Sequence, residues 1–403
     1  MDVAVSRIRS ALYNRSLESR LMNRRLNVCI AALGLGWAAS FASAQATTNP
    51  AEVTKIPVTT MQSGAITPEQ KTEIDTYVTT EIGLLTTATT PTARASAKGL
   101  IIAAAPGTSG GFSPQYLDAY ATSIDSQITA LLKTKLPLSI RLNLGVIAAT
   151  VARNTQSWHL APSADALMHD EAEAVALWGA RTAKFVLPNQ INVQAAGSKN
   201  SLQPTIVDTG LKFPGPVLVE AYDALVLSPL AIGPANQKNF GPAMKAVIPS
   251  VQALLNKRIQ TYGPSIPKEP VADAQGTTFL TYSWVFAQQT PAQQKETSKI
   301  LRDLLAKASE LYTAPNAELL DLIKKVASGV AVISNDPNVT KAAGPMKNLN
   351  QTVPAPQVKA DVDALVSAID ATAIMQTPAV QGGSTSRPSS GSASPASDLA
   401  VIK

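Results

Sequence analysis

Thr67-Pro68-Glu69-Gln70, Thr90-Pro91, Ser113-Pro114 and Pro137 mark out the first half of this chain. The four prolines stand 23 residues apart, and three of them follow Ser or Thr. Proline suits the first position of a helix because the N–H it lacks has no partner there anyway. A preceding Ser or Thr accepts one of the other free backbone N–H groups. Thr67 and Gln70 also have the spacing of a reciprocal capping box. Between the prolines, apolar residues recur at helical spacing. Ile74, Tyr77, Val78, Ile82 and Leu85 form one such set; Leu117, Tyr120, Ile124, Ile128, Leu131 and Leu132 form another; Ile140, Leu144, Ile147 and Val151 form a third. Each unit of 23 residues holds one helix of about 16–18 residues and a short turn. Short turns make neighbouring helices antiparallel.

Two units come to about 46 residues, the size of HEAT- and armadillo-type helix pairs. The resemblance is strongest from Ser139 to Pro188. Ser139-Ile-Arg-Leu-Asn-Leu-Gly-Val-Ile-Ala-Ala reads as one helix and Asp170-Glu-Ala-Glu-Ala-Val-Ala-Leu-Trp-Gly-Ala-Arg as the next. The second resembles the inner helix of a HEAT repeat. It has an acidic start, then Val175, then small Gly179 and Ala180 where helices approach closely. It departs from that family at Ala176, where a basic residue is usual. The resemblance covers about 50 residues; it implies stacked helices and brings no catalytic residues. The chain also carries 28 prolines, enough for the spacing to arise by chance in an irregular helical bundle. The expected fold is therefore all-α, made of stacked antiparallel helix pairs in an α-solenoid-like array or an irregular bundle.

The boundaries follow from composition. Residues 45–65 are a loose lead-in and 66–187 the repeat-like helical region. Residues 188–215, rich in Asn, Gln, Gly, Ser and Pro, read as a long loop. Its β-capable pieces, Ile191-Asn-Val193 and Thr205-Ile-Val207, fit a small β-hairpin. Helical periodicity resumes at 216–227, 242–262 and 272–288, and 216–376 continues the same domain. Thr290-Pro291-Ala292-Gln293 is a second capping box. It opens an amphipathic helix with Ile300, Leu301, Leu304, Leu305, Ala308 and Leu311 on one face. Leu319, Leu320, Ile323, Val326, Ala327 and Val330 line the next helix, and a last helix covers about 356–373. The Ser/Gly/Pro-rich stretch within 377–403 cannot bury a core and is expected to be disordered.

The N-terminal 44 residues read as a signal peptide. Arg24 and Arg25 precede an apolar run, Val28 to Phe41, and Ala42-Ser43-Ala44 ends it, so cleavage falls between Ala44 and Gln45. The run is shorter than the roughly 20 residues of a membrane span, so no transmembrane anchor is expected after cleavage. Translation starts at Met1 or at Met22, which directly precedes Asn23-Arg24-Arg25. Removing residues 1–44 takes away six arginines and two acids; 28 basic and 26 acidic residues remain. A chain so nearly neutral offers no electrostatic footprint for nucleic acid. Cys29, the single cysteine, leaves with the leader, so the exported chain relies on apolar burial and not on disulfides.

Two groups of residues could carry chemistry. Gly107-Thr108-Ser109-Gly110-Gly111 resembles the nucleophile segments of serine hydrolases. A trypsin-like order fails, because His159 and His169 follow the serine. A nucleophile elbow would need Leu100–Ala105 to be a strand, yet that run continues an Ala-rich helix. The alternative is an interhelical turn whose glycines permit positive φ. Asp165, His169 and Glu173 stand at i, i+4 and i+8, on one face if a single helix contains them. These are legitimate zinc ligands, and a solvated helix face is the competing reading. Trp178 and Trp284 sit in apolar helices and are expected in the core, whereas Trp158 lies in a turn where it can meet a ligand. No phosphate loop, zinc-type cysteine set or kinase signature occurs, and no cofactor is implied. The expected function is an exported, non-catalytic binding or scaffold protein of the cell envelope or periplasm, with an envelope protein or other macromolecule as partner. The alternative is an extracytoplasmic hydrolase using Ser109 or a metal near His169.

Overall fold

The computed structural model describes residues 55–107, 111–194, 201–227 and 240–372. The signal-peptide reading with Cys29, Ala44 and Gln45, the tail 377–403 and Ser109 itself lie outside the described residues. The chain divides after Thr54, and every described residue belongs to the second unit. Sixteen α-helices and no strand occur among the described residues. They are α1 Val58–Met61, α2 Pro68–Thr87, α3 Pro91–Ala103, α4 Pro114–Leu132, α5 Leu138–Thr155, α6 Ala161–Met168, α7 Glu173–Gln194 and α8 Gln203–Lys212. There follow α9 Pro216–Leu225, α10 Phe240–Ile259, α11 Pro270–Thr281, α12 Ser283–Phe286, α13 Pro291–Leu311, α14 Ala317–Ile333, α15 Pro337–Ala343 and α16 Ala355–Ala371.

The proline beat is a set of helix starts. Thr67, Thr90 and Ser113 each accept the backbone N–H three residues on, and Pro68, Pro91 and Pro114 are the first helical residues. Pro137 sits one position earlier, at the cap of α5. Both capping boxes form, Thr67 with Gln70 and Thr290 with Gln293.

The helices pack in two rows. The first is α2, α4, α6, α8, α10, α13 and α16; the second is α3, α5, α7, α9, α11, α14 and α15. Each helix packs against its partner in the other row and against the neighbours in its own row. This is a solenoid of helix pairs, since each pair leans on the pairs beside it. Side-chain hydrogen bonds repeat with the same offset. Lys98 reaches Asn143 45 positions on, Ser250 bonds Gln203 across 47, and Gln252 bonds Thr297 across 45. Arg302 reaches Asp370 across 68 positions, because the last pair carries extra chain at 337–354.

Four expectations are corrected. Residues 188–215 are not a long loop with a hairpin: α7 runs through Pro188 to Gln194, and α8 contains Thr205-Ile-Val207. An internal proline costs about 3 kcal/mol, whereas burying Val186, Leu187 and Ile191 returns about 1.5–3 kcal/mol each. The helices at 139 and 170 are not one pair. Helix α6 lies between them in sequence, α5 and α7 are neighbours in the second row, and the true pair is α6 with α7. The helix expected at 272–288 breaks after Thr281, which leaves Trp284 42% exposed instead of in the core. Trp178 is half-buried beneath the Arg181 guanidinium, 4.7 Å from its ring centre.

The strongest lock ties α9, α10 and α11. Asp273 is wholly buried and accepts from Arg258 Nε and Nη2, Tyr222 Oη and Tyr262 Oη at 2.7–3.2 Å. Burial first, and the Asp273 charge second, hold the Tyr222 phenol well above its usual range.

The close approach expected at Gly179 occurs. A Cβ there would lie 2.6 Å from the Met168 backbone nitrogen, whereas one on Gly83 in α2 would meet nothing within 4 Å. Thermal denaturation followed by circular dichroism should therefore separate the two glycines. Gly179→Ala is expected to cost about 1–3 kcal/mol through overpacking against backbone. Gly83→Ala should gain up to about 1 kcal/mol from helix propensity. Shifts of the same sign would contradict this packing.

Candidate functional site

The turn between α5 and α6 is built by two aspartates of α4. Gln156 ends α5 in the left-handed region at φ 53°. Ser157 then caps the single 3-10 turn Trp158–Leu160 by accepting from His159 N. The Ser157 hydroxyl donates to Asp118 Oδ1 at 2.5 Å, and His159 Nε2 lies 3.1 Å from Asp118 Oδ2. Two helical turns further along α4, Asp125 Oδ1 accepts both the backbone N–H and the hydroxyl of Ser163, at 2.8 and 2.6 Å. Asp118 and Asp125 thus hold the start of α6 at two points.

Their environments push the two carboxyls apart. Desolvation raises Asp118, but hydrogen bonds from His159 and Ser157 and the His159 charge outweigh it, so its pKa lies below the ordinary value. At Asp125 desolvation prevails over the Ser163 hydrogen bonds and the His159 charge, and the pKa is raised. Asp125 Oδ2 makes no hydrogen bond among the described residues.

Beside this turn lies a cleft of about 1150 Å³ along the first row. Asp125, Ser126 and Thr129 of α4 form one wall and Pro162 and Asp165 of α6 the other, while Trp158 and Gln190 also line it. The Trp158 ring leans on the His159 ring at a centroid distance of 4.0 Å. Trp158 is half-buried, with one part packed and the rest facing the cleft.

The structure separates the proposed metal set. Helix α6 ends at Met168, and Glu173 opens α7. The break is caused by Asp170, whose carboxylate accepts Ala172 N and pairs with Arg141 of α5. Asp165, His169 and Glu173 therefore do not share one helix face. Asp165 Oδ1 accepts the Thr205 hydroxyl at 2.7 Å, and His169 Nδ1 stays 3.6 Å from Asp165 Oδ2. Glu173 instead lines a separate cleft of about 520 Å³ with Lys212, Lys268, Glu269 and Glu318. No group of three or more His, Cys, Asp or Glu among the described residues is placed to hold a metal ion.

The run from Leu100 to Ala103 ahead of Ser109 is helical. Residues 100–103 end α3, where a nucleophile elbow needs a strand. Gly107 and Gly111 have φ of 93° and 74°, as an interhelical turn requires. Asn154 pins the turn by donating to Ala105 O at 2.6 Å.

Asp118, Asp125, Ser157 and Ser163 are absent from the candidates named from the sequence. They share a legible feature, since each aspartate meets its hydroxyl partner 38–39 positions downstream, close to one helix pair. No helix of the described residues is long and apolar enough to cross a membrane. No protein-family model matches the sequence, and no curated protein matches it.

The balance at Asp125 yields a titration test. A carboxyl with a raised folded pKa contributes stability at low pH and loses it as pH rises through that value; Asp118, lowered, behaves in the opposite sense. Ser163→Ala removes the hydroxyl donor and leaves the backbone donor. Carboxyl-carbon NMR titration should then find the Asp125 pKa higher still. An unchanged or lower value would show that Ser163 does not set it.

Proposed function

We propose that this chain is an exported binding protein of the cell envelope or periplasm that takes a macromolecular partner on its first helix row, without catalysis. The observation that carries this reading is the open cleft beside Trp158, about 1150 Å³ in volume. It presents a half-buried indole, Pro162 and Asp125 Oδ2, which makes no hydrogen bond among the described residues. Stacked helix pairs offer extended faces of this kind to large partners, and Trp is favoured where an apolar body and a polar edge are both used. Export rests on the N-terminal pattern of basic residues, apolar run and Ala42-Ser43-Ala44.

The polar groups of the α5–α6 turn beside the cleft support binding over hydrolysis. A serine nucleophile needs a base that takes its proton, with the histidine between serine and carboxylate. Here Ser157 and Ser163 both donate to aspartates, and Asp118 stands between Ser157 and His159. The hydrolase alternative, through Ser109 or a metal near His169, has its own readouts.

The test is site-specific photocrosslinking in the native host. A photoreactive residue in place of Ser126, at the cleft, should yield a discrete adduct in the envelope fraction. The same residue in place of Lys359 on α16 should yield none. No adduct from the cleft, or equal adducts from both positions, would refute the binding face; recovery from the cytoplasm alone would refute export. Labelling of Ser109 by a fluorophosphonate, or stoichiometric zinc by elemental analysis, would favour the hydrolase instead.

A further inference from the structure

A second cleft, of about 730 Å³, opens on the other row. Its floor is apolar. Leu227 and Phe279 are fully buried and Met244 nearly so, with Val226 and Val271 half-buried beside them. Leu227 holds φ 49°, in the left-handed region that a bulky side chain rarely adopts. Its rim is aromatic. Helix α11 stops at Thr281 because Tyr282 takes an extended ψ of 125°. The break turns two rings outward, leaving Tyr282 49% and Trp284 42% exposed at the same cleft. Tyr222 and Phe279, by contrast, are fully buried.

The charges at this cleft are Lys184, Asp223 and Lys325. Asp223 is already answered, by Lys184 at 2.7 Å and by the Gln275 amide. Among the described residues Lys325 pairs with Asp321, one turn back on its own helix, with both side chains more than 40% exposed. An exposed pair of that kind holds its lysine weakly. Lys325 is therefore the cation of the lining that an incoming anion can draw from its partner most readily, beside an apolar floor and an aromatic rim. The volume falls within the span of about 300–1,000 Å³ typical of small-molecule sites, which suits a compact ligand better than a protein partner.

We propose that this cleft binds an amphipathic monoanion, with an acyl or aryl body laid between Trp284 and the Val226–Phe279 floor and its carboxylate directed to Lys325. Stacking on the exposed rings and burial on the floor supply the attraction. The lysine sets the sign of the head group. The site is separate from the Trp158 cleft, with which it shares no lining residue.

The experiment is calorimetric titration of the full chain with dodecanoate below its micellar concentration. Dodecyltrimethylammonium and dodecyl maltoside serve as cationic and neutral homologues of the same chain length. Dodecanoate should bind saturably with one site per chain, and both homologues should bind more weakly. Lys325→Gln is expected to weaken dodecanoate about five- to tenfold, whereas Lys359→Gln on α16 should not. Trp284→Ala should weaken all three ligands that bind. Trp284 and Lys325 are both exposed, so unchanged melting curves will show that the variants fold. Equal affinity for the cationic or neutral homologue would overturn the proposal. So would dodecanoate binding that neither Lys325→Gln nor Trp284→Ala reduces, or no saturable binding at all.

Discussion

No helix pair in this chain can bury its apolar stripe by itself, and that constraint shapes everything else. Helix α13 carries Ile300, Leu301, Leu304, Leu305 and Ala308, all wholly buried, and they are covered from both sides by α10, α14 and α16. Apolar contact is not directional, so it could not by itself fix how far one helix slides along the next. The side-chain bonds repeating at about one pair's separation supply that register. The Asp273 cluster is their extreme form. A buried ion pair gains little over apolar packing, yet losing one partner strands a charge at a cost of about 3–5 kcal/mol. Arg258, Tyr222 and Tyr262 therefore specify how α9, α10 and α11 meet more than they add to net stability.

The same register bonds account for the residues that looked chemical. Asp165 reads as a metal ligand when only its neighbours in sequence are considered. In the fold it accepts from Thr205 on the next helix of its row, just as Asp125 accepts from Ser163 on α6. Asp170, adjacent to the candidate histidine, is engaged by Arg141 and by Ala172 N. Asp125 Oδ2 makes no hydrogen bond among the described residues.

What could be read from sequence was local. Thr67, Thr90, Ser113 and Thr290 cap their helices within three residues, so their chemistry is complete in a short window. The stripes of α13 and α14 were legible for the same reason. Most of the misreadings depended on partners far away in sequence. A single helix through Asp165 and Glu173 fails because Arg141, 29 positions earlier, holds Asp170 in the turn. Pro188 is tolerated because the walls that bury Val186 and Leu187 belong to other helices. Trp284 sits in an apolar run, but the break at Tyr282 turns it outward. Arg181 and Lys184 reach Glu220 and Asp223 on the next helix of the row.

Both clefts then follow from helix length. In the first row α4 has 19 residues and α10 has 20, but α6 and α8 between them have 8 and 10. In the second row α7 has 22 and α14 has 17, with α9 and α11 at 10 and 12. At about 1.5 Å per residue, a helix ten residues shorter than its neighbour leaves roughly 15 Å of that neighbour's flank without a partner in the row. Helix α7 covers part of the gap by reaching past α8 to touch α10. The remainder opens to the surface beside α6 and α8 on one row and beside α9 and α11 on the other. Trp158 stands at one opening, in the 3-10 turn ahead of α6, and Trp284 at the other, past the break that ends α11. Shortening the middle helices thus gives up apolar contact within the rows and exposes, on each face, an indole beside charges that the neighbouring helices hold in place.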